Sequence, residues 1–127
     1  MMSKPLAFIV EDDKRLSDIF AETVHSAGYA IEIVPNGRLA LDRLAGTAPD
    51  LVVLDLHLPH VMGHKVLEYI RGQERLQNTR VMVATADAAL AASLEEQSDL
   101  VLLKPIPVSQ LRLLASRLRP NNNAHES

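Results

Sequence analysis

The stretch LVVLDLHLP, residues 51–59, places an acidic residue at the end of an apolar run. Its four leading apolar residues are typical of a short strand that is buried on both faces, as strands of parallel sheets are. Asp55 closes that run, and an unpaired carboxylate costs several kcal/mol to bury. We therefore expect Asp55 to be solvated, paired with a cation or bound to a metal ion.

Length and composition restrict the classes of protein that the chain can belong to. Its 127 residues suffice for one domain with a real core, which we expect over residues 1–119, before a disordered tail at 120–127. Any output domain would then belong to another protein. A net charge of −3, without a Lys/Arg cluster, argues against direct binding of nucleic acid. No apolar run approaches the roughly 20 residues that span a bilayer, and the absence of cysteine suits the cytoplasm, which is the predicted location.

Apolar runs like the one at 51–54 alternate along the chain with segments of helical periodicity. The predicted strands are 6–10, 29–34, 51–54, 81–84 and 100–103. The predicted helices are one between Asp13 as N-cap and Gly28 as stop, and four near 36–45, 64–71, 87–96 and 107–119. This alternation predicts an α/β fold, a doubly wound five-stranded parallel sheet of order 2-1-3-4-5.

The helical periodicity also predicts which side chains of four helices face the sheet. The predicted inward residues are Leu16, Ile19, Phe20, Thr23, Val24 and Ala27 in the first helix, Leu41, Leu44 and Ala45 in the second, Val66, Leu67 and Ile70 in the third, and Val108, Leu111, Leu114, Ala115 and Leu118 in the last. Leu113 lies beside the last of these stripes and is a possible dimer contact, although a single exposed leucine is common.

Polar residues follow four of the predicted strands where each strand ends. They are Glu11, Asp12 and Asp13 after the first strand, Asp55 after the third, Thr85 after the fourth, and Lys104 with Pro105 after the fifth. Ligands of doubly wound sheets bind at this carboxyl edge, so we expect these side chains to converge. Crowded carboxylates repel one another, and Mg²⁺ is a suitable counterion. An ammonium and a hydroxyl around one carboxylate suit phosphoryl transfer to that carboxylate, with Asp55 as nucleophile.

Each of these residues also has an ordinary structural explanation. Asp13 can be no more than a helix N-cap, a Lys-Pro pair is usually a turn, and a threonine at a strand end usually bonds to backbone. The functional interpretation depends on their joint arrangement at the ends of adjacent strands.

Four motif blocks together resemble the receiver domain of two-component response regulators, the CheY-like family. They are IVEDDKRL (9–16), PDLVVLDLHLPHVMG (49–63), VMVATAD (81–87) and LLKPI (102–106). The resemblance implies a flavodoxin-like fold.

It also implies a role for each site residue. Asp55 resembles the phosphoacceptor, Asp12 a direct Mg²⁺ ligand, and Glu11 an assistant that acts through water. The backbone carbonyl of His57 would complete the metal shell. Thr85 and Lys104 resemble the pair that grips the phosphoryl group.

The resemblance further implies a signalling switch rather than an enzyme. The phosphoryl donor would be the phosphohistidine of a sensor histidine kinase or of a histidine phosphotransfer protein. Phosphorylation would change the affinity for a downstream partner protein, without contact to nucleic acid or membrane, and the chain would be a monomer or a weak dimer.

Two positions and the length of one segment depart from the family pattern. Val101 stands where the family often has an aromatic residue, Met62 stands where an acidic or amide residue is common, and the segment 85–104 is short. We therefore predict an atypical output face at the fourth helix and fifth strand.

Four other interpretations compete with this one. A haloacid-dehalogenase-type phosphatase needs a second aspartate two residues after the nucleophile, where this chain has His57. A degenerate receiver that serves only as a docking surface remains open because of Val101, whereas a histidine phosphotransfer protein is excluded by the alternating strands. A zinc site at His57, His60 and His64 is a further alternative, but a polar loop explains these residues equally well.

Overall fold

The computed structural model describes residues 3–120 and shows five strands that alternate with five helices. The strands are β1 (Leu6–Val10), β2 (Ala30–Val34), β3 (Leu51–Asp55), β4 (Arg80–Thr85) and β5 (Leu100–Leu103). The helices are α1 (Lys14–Ser26), α2 (Gly37–Gly46), α3 (Gly63–Gly72), α4 (Ala88–Ser93) and α5 (Val108–Leu118), with a 3₁₀ turn at Glu74–Leu76. The predicted tail lies, except for Pro120, outside the described residues.

The strands form one parallel sheet in the order β2-β1-β3-β4-β5, which confirms the predicted topology. The central strand β3 is buried along its whole length. Asp55 is the last residue of this strand, in register with Ala84 of β4, rather than the first residue of the following loop. The carboxylate is therefore held by a rigid element.

The core has two layers because successive side chains of each strand point to opposite faces of the sheet. Phe8 and Val10 of β1 pack with α2 and α3 on one face, whereas Ala7 and Ile9 pack with α1 and α5 on the other. Within residues 3–120, every helix is too short or too polar to cross a membrane.

Some predicted inward positions and one helix end are wrong. Ile19 is 39% exposed and Val108 is 51% exposed, because Ile19 lies beside the buried stripe of α1 and Val108 is the first residue of α5. In α2, Ala40 is buried in place of Ala45. Helix α4 ends at Ser93 rather than near residue 96, since acidic residues at 95 and 96 are unfavourable at a helix C-terminus.

Side-chain caps fix the start of three helices at the carboxyl edge of the sheet. Asp13 accepts a hydrogen bond from the Leu16 amide at 3.1 Å, as predicted. Asn36 caps α2 in the same way, and Asp87 caps α4 through the Leu90 amide at 3.0 Å. These caps set where each loop between strand and helix ends.

Gly63, the first residue of α3, allows that helix to approach the end of β3 closely. A Cβ atom at this position would lie 2.6 Å from the Leu56 Cα and would also meet the Asp55 carbonyl oxygen. Since both neighbours are backbone atoms, neither can move away cheaply. A side chain at residue 63 would displace α3 from the strand that carries Asp55.

We predict that Gly63→Ala lowers the free energy of unfolding by about 1–3 kcal/mol, because the added methyl overpacks against backbone. The matched control is Gly72→Ala at the other end of α3, where a Cβ meets nothing within 4 Å. The control should be neutral or up to about 1 kcal/mol more stable, because alanine has the better helix propensity. Urea denaturation followed by far-UV circular dichroism measures both. Equal stability of the two variants would contradict the close packing at Gly63.

Candidate functional site

The sheet order brings the predicted site residues to one edge. Glu11 follows β1, Asp55 ends β3, Thr85 ends β4 and Lys104 follows β5. Because these strands are neighbours in the sheet, residues that are up to 93 positions apart in sequence meet in space. The predicted convergence at the carboxyl edge is confirmed.

Three carboxylates form a cluster at this edge. Glu11, Asp12 and Asp55 each place an oxygen within 4.8 Å of the others. Glu11 is 3% exposed and Asp55 is 4% exposed, whereas Asp12 faces solvent. Two buried carboxylates with an exposed third form an all-oxygen donor set that is open on one side. Such a set suits Mg²⁺, which binds to one or two carboxylates and keeps several waters.

Lys104 is the cation that pairs with the buried carboxylate of Asp55. Its Nζ atom lies 3.1 Å from Glu11 Oε1 and 3.4 Å from Asp55 Oδ1, so one ammonium pairs with both buried carboxylates. The peptide bond between Lys104 and the next residue, Pro105, is cis. Asp55 is thus buried at the end of an apolar strand as a member of an ion pair.

Burial and charge act on the pKa values of this group. Burial, with the nearby charge of Asp55, raises the pKa of Glu11, and the hydrogen bond from Lys104 only partly offsets this rise. Burial by itself would lower the pKa of Lys104, but the hydrogen bond to Glu11 and the charges of Asp55 and Glu11 raise it overall. Lys104 therefore stays positively charged at neutral pH.

Backbone amides orient the two buried carboxylates. The His57 amide donates to Asp55 Oδ1 at 3.2 Å, and the Asp13 amide donates to Glu11 Oε2 at 3.2 Å. The loop after each strand therefore folds back onto the carboxylate that precedes it. The predicted role of the His57 carbonyl as a metal ligand stays a prediction.

Thr85 is fully buried at the end of β4 and is tied to both neighbouring segments. Its hydroxyl oxygen accepts a hydrogen bond from the Asp87 amide at 3.1 Å, and its carbonyl accepts one from the Lys104 amide at 2.8 Å. The accepting role leaves the hydroxyl proton available for a ligand oxygen. Sequence periodicity predicts a helix that begins at Asp87, but it does not predict the hydrogen bond from the Asp87 amide to Thr85.

His57 and His60 of the β3–α3 loop and His64 of α3 do not join a metal-binding group. Among residues 3–120, only the acidic trio brings three potential ligands together. His57 and His60 are exposed and His64 is half-buried, and His60 occupies a tight turn with a φ angle of 70°. The geometry gives no support to the zinc alternative.

A doubly wound sheet with buried acidic residues and a lysine at its carboxyl edge defines the class of CheY-like signalling domains. The family model for the response regulator receiver domain matches residues 7–116. The chain belongs to this family, whose members act in two-component signalling.

Individual relatives agree with this assignment. The chain is 31% identical over 126 residues to the response regulator MprA of Mycolicibacterium vanbaalenii. The matched region covers 94% of this chain and 54% of MprA. The chain thus spans about half the length of the curated relatives that it matches.

Solved structures show the same fold. The receiver domain of a signal transduction histidine kinase from Syntrophus aciditrophicus superimposes with a TM-score of 0.81 at 29% identity, covering 90% of this chain and 89% of that one. The receiver domain of a sensor histidine kinase from Pseudomonas aeruginosa also gives a TM-score of 0.81, at 23% identity, with coverage of 91% and 98%. In that crystal structure a magnesium ion is coordinated in the active-site cleft.

We predict that Asp55→Asn stabilises the metal-free protein, by on the order of 1 kcal/mol, because it removes a buried charge that faces two other carboxylates. The asparagine oxygen can still accept the hydrogen bond from the His57 amide. Thermal and urea unfolding in the presence of a chelator measure the effect, and Mg²⁺ should then stabilise the natural chain more than the variant.

The matched control for this prediction is Asp42→Asn on α2, an exposed aspartate outside the cluster. Its effect should stay within about 0.5 kcal/mol, as for most surface substitutions. A loss of stability in metal-free Asp55→Asn would show that the ion pair with Lys104 outweighs the repulsion within the cluster.

Proposed function

We propose that this chain is a phosphoacceptor receiver that takes a phosphoryl group from phosphohistidine onto Asp55. The observation that carries the proposal is the contact of Lys104 with the buried Asp55 and Glu11, with Thr85 on the adjacent strand. A carboxylate at a rigid strand end, an ammonium and a hydroxyl donor are the parts that phosphoryl transfer to a carboxylate requires.

In the proposed reaction, an oxygen of the Asp55 carboxylate forms a bond to phosphorus while the P–N bond of the donor phosphohistidine breaks. The imidazole of the donor leaves, and the product is an aspartyl phosphate. Lys104, which now pairs with Glu11 and Asp55, is within reach of the new phosphoryl oxygens, and the Thr85 hydroxyl can donate to another. Asp55 and Lys104 are already in contact at the carboxyl edge, so these two groups need little reorganisation.

Glu11, Asp12 and Asp55 fit a magnesium ion by their donor chemistry and spacing, and we propose that they hold it with the His57 carbonyl. When bound, the metal supplies positive charge that offsets the charge of the carboxylates and of the phosphoryl oxygens. The magnesium-containing Pseudomonas domain, which has the same fold, supports this assignment.

We further propose that the chain is a signalling switch rather than an enzyme, and that it acts in the cytoplasm. Its phosphoryl donor would be a sensor histidine kinase or a histidine phosphotransfer protein. The consequence of phosphorylation would be a changed affinity for a partner protein. The family membership and the acidic cluster support this chemistry, and the partner itself is unidentified.

The phosphatase alternative is weakened by the position of the candidate nucleophile. Asp55 ends the third strand of the chain rather than the first, and His57 stands where that class needs an acid or base.

The docking-module alternative rests on Val101. This residue is half-buried and packs against the core layer on the α3 side of the sheet, in register with Val83.

The direct test is the intact mass of the chain after incubation with acetyl phosphate, with and without Mg²⁺, alongside Asp55→Asn. We expect a Mg²⁺-dependent gain of one phosphoryl group on the natural chain and none on the variant, because the variant lacks the nucleophilic oxygen. Asp42→Asn should be modified like the natural chain. Failure of the natural chain to gain mass, and to bind beryllofluoride, would favour the docking module.

The link from Thr85 to α4 is the route by which we propose that phosphorylation changes the surface. The Thr85 hydroxyl accepts from the Asp87 amide, and the Asp87 carboxylate in turn caps α4 at Leu90. Helix α4 has only six residues and few buried ones, so its stability depends on this cap and on packing. A shift of Thr85 toward a phosphoryl group would weaken its hydrogen bond to Asp87 and loosen the start of α4. This route does not need an aromatic residue at position 101.

We predict that beryllofluoride with Mg²⁺ changes amide exchange over residues 85–108, most at the start of α4, because that cap depends on Thr85. Hydrogen exchange read by mass spectrometry measures this, and Asp55→Asn with the same additives is the control. Unchanged exchange over 85–108, in a sample shown to bind beryllofluoride, would contradict coupling through this face.

A further inference from the structure

The outer strand β2 leaves a row of backbone groups without a partner in the described part of the chain. Within β2, the Ala30 amide donates to the Pro5 carbonyl at 2.8 Å, and the Val34 carbonyl accepts from the Glu11 amide at 3.1 Å. Because alternate residues of a strand direct their backbone groups to opposite sides, Ile31 and Ile33 direct theirs away from β1. These groups lie on the free edge of the sheet.

Within residues 3–120, strand β2 itself has none of the features that usually protect an edge strand. Natural edges are blunted by lysine, by proline within the strand, by bulges or by a covering segment. The one charged residue of β2, Glu32, is engaged by Arg43 of α2, whose Nη2 lies 2.8 Å from Glu32 Oε1 and whose Nε also bonds to Glu32. The pair is neutral as a unit and directs no net charge along the edge.

The side chains beside this edge are apolar. Ile33 is 40% exposed, and Ile31 is half-buried against the core layer that α1 and α5 cover. Both lie on the same face of the sheet because they are two residues apart. A shallow groove between α1 and β2 contains them, together with Lys4, Ala21, Glu22 and His25. Unpaired backbone groups beside an apolar strip are the features that β-strand addition uses.

We propose that a second copy of this chain occupies the edge, with the two β2 strands antiparallel about a two-fold axis at Glu32. In this register Ile31 of one copy lies opposite Ile33 of the other, and the reverse. All four isoleucines direct their backbone groups toward the partner strand, so both pairs exchange backbone hydrogen bonds. Two five-stranded sheets thereby become one continuous sheet.

Three features of β2 favour this self-pairing. The isoleucines of both copies lie on one face and form a shared apolar cluster across the seam. Glu32 meets its own copy, and the repulsion is offset because each glutamate already pairs with Arg43. Pro35 follows the strand and has no N–H, so registers that are shifted toward it lose a donor.

The proposed dimer uses neither the acidic cluster nor Lys104. It therefore does not rest on the proposed phosphorylation, and the failure of one leaves the other standing. Glu11 and Asp12 follow β1, Asp55 ends β3 and Lys104 follows β5, so none of these residues belongs to the strand that forms the seam.

Sedimentation velocity over a concentration series tests the interface. We expect a monomer–dimer equilibrium for the natural chain and for Leu113→Lys, whose leucine is 52% exposed on α5. Ile33→Lys should weaken the dimer by at least about tenfold, because it places a charge in the apolar seam. Loss of the dimer in Leu113→Lys but not in Ile33→Lys would overturn the proposal, and so would a natural chain that is monomeric throughout.

Amide exchange of the natural chain at low and high concentration gives a second test that does not depend on the folding of a variant. The amides of Ile31 and Ile33 should slow as concentration rises, whereas those of Ala30 and Glu32 are protected by β1 at any concentration. Rapid exchange of Ile31 and Ile33 in a sample that is shown to be dimeric would overturn the edge pairing.

Discussion

The ion pairs from Lys104 to Asp55 and Glu11 are the interaction on which the rest of the site depends. Two carboxylates that are almost fully buried would be costly without a counter-charge, and the one ammonium that contacts both comes from the far end of the chain. This contact requires β1, β3 and β5 to bring their carboxyl ends to one edge. The site therefore forms only when the strands take this order in the sheet.

The same arrangement leaves the site with more negative charge than Lys104 compensates. The negative charge of three carboxylates exceeds the positive charge of Lys104, and burial together with Asp55 raises the pKa of Glu11. Such a site gains stability when a divalent cation or a positive group joins it. It also has a rigid frame, since backbone amides hold Asp55 and Glu11 in place. A site of this kind can respond to added charge without refolding.

The sequence was sufficient to predict the five strands, their order and the convergence of the polar residues, because strand periodicity and right-handed crossovers leave few alternatives. It was not sufficient for Ile19, Val108 and the end of α4, since the rotation and length of a helix depend on the neighbours against which it packs. The hydrogen bond from Asp87 to Thr85 and the double contact of Lys104 depend on three-dimensional loop paths, which periodicity does not encode. Residue roles came from the resemblance, and no contact by itself assigns them.

We expect Asp55, rather than another acid of the cluster, to be the residue that is phosphorylated. Reduction of the acetyl-phosphate-treated chain with borohydride converts an aspartyl phosphate to homoserine, and peptide mass spectrometry then locates the modified residue. We expect homoserine at position 55, with Asp12 and Glu11 unmodified. Reduction at Asp12, or an unmodified Asp55 in a chain that carries a phosphoryl group, would contradict it.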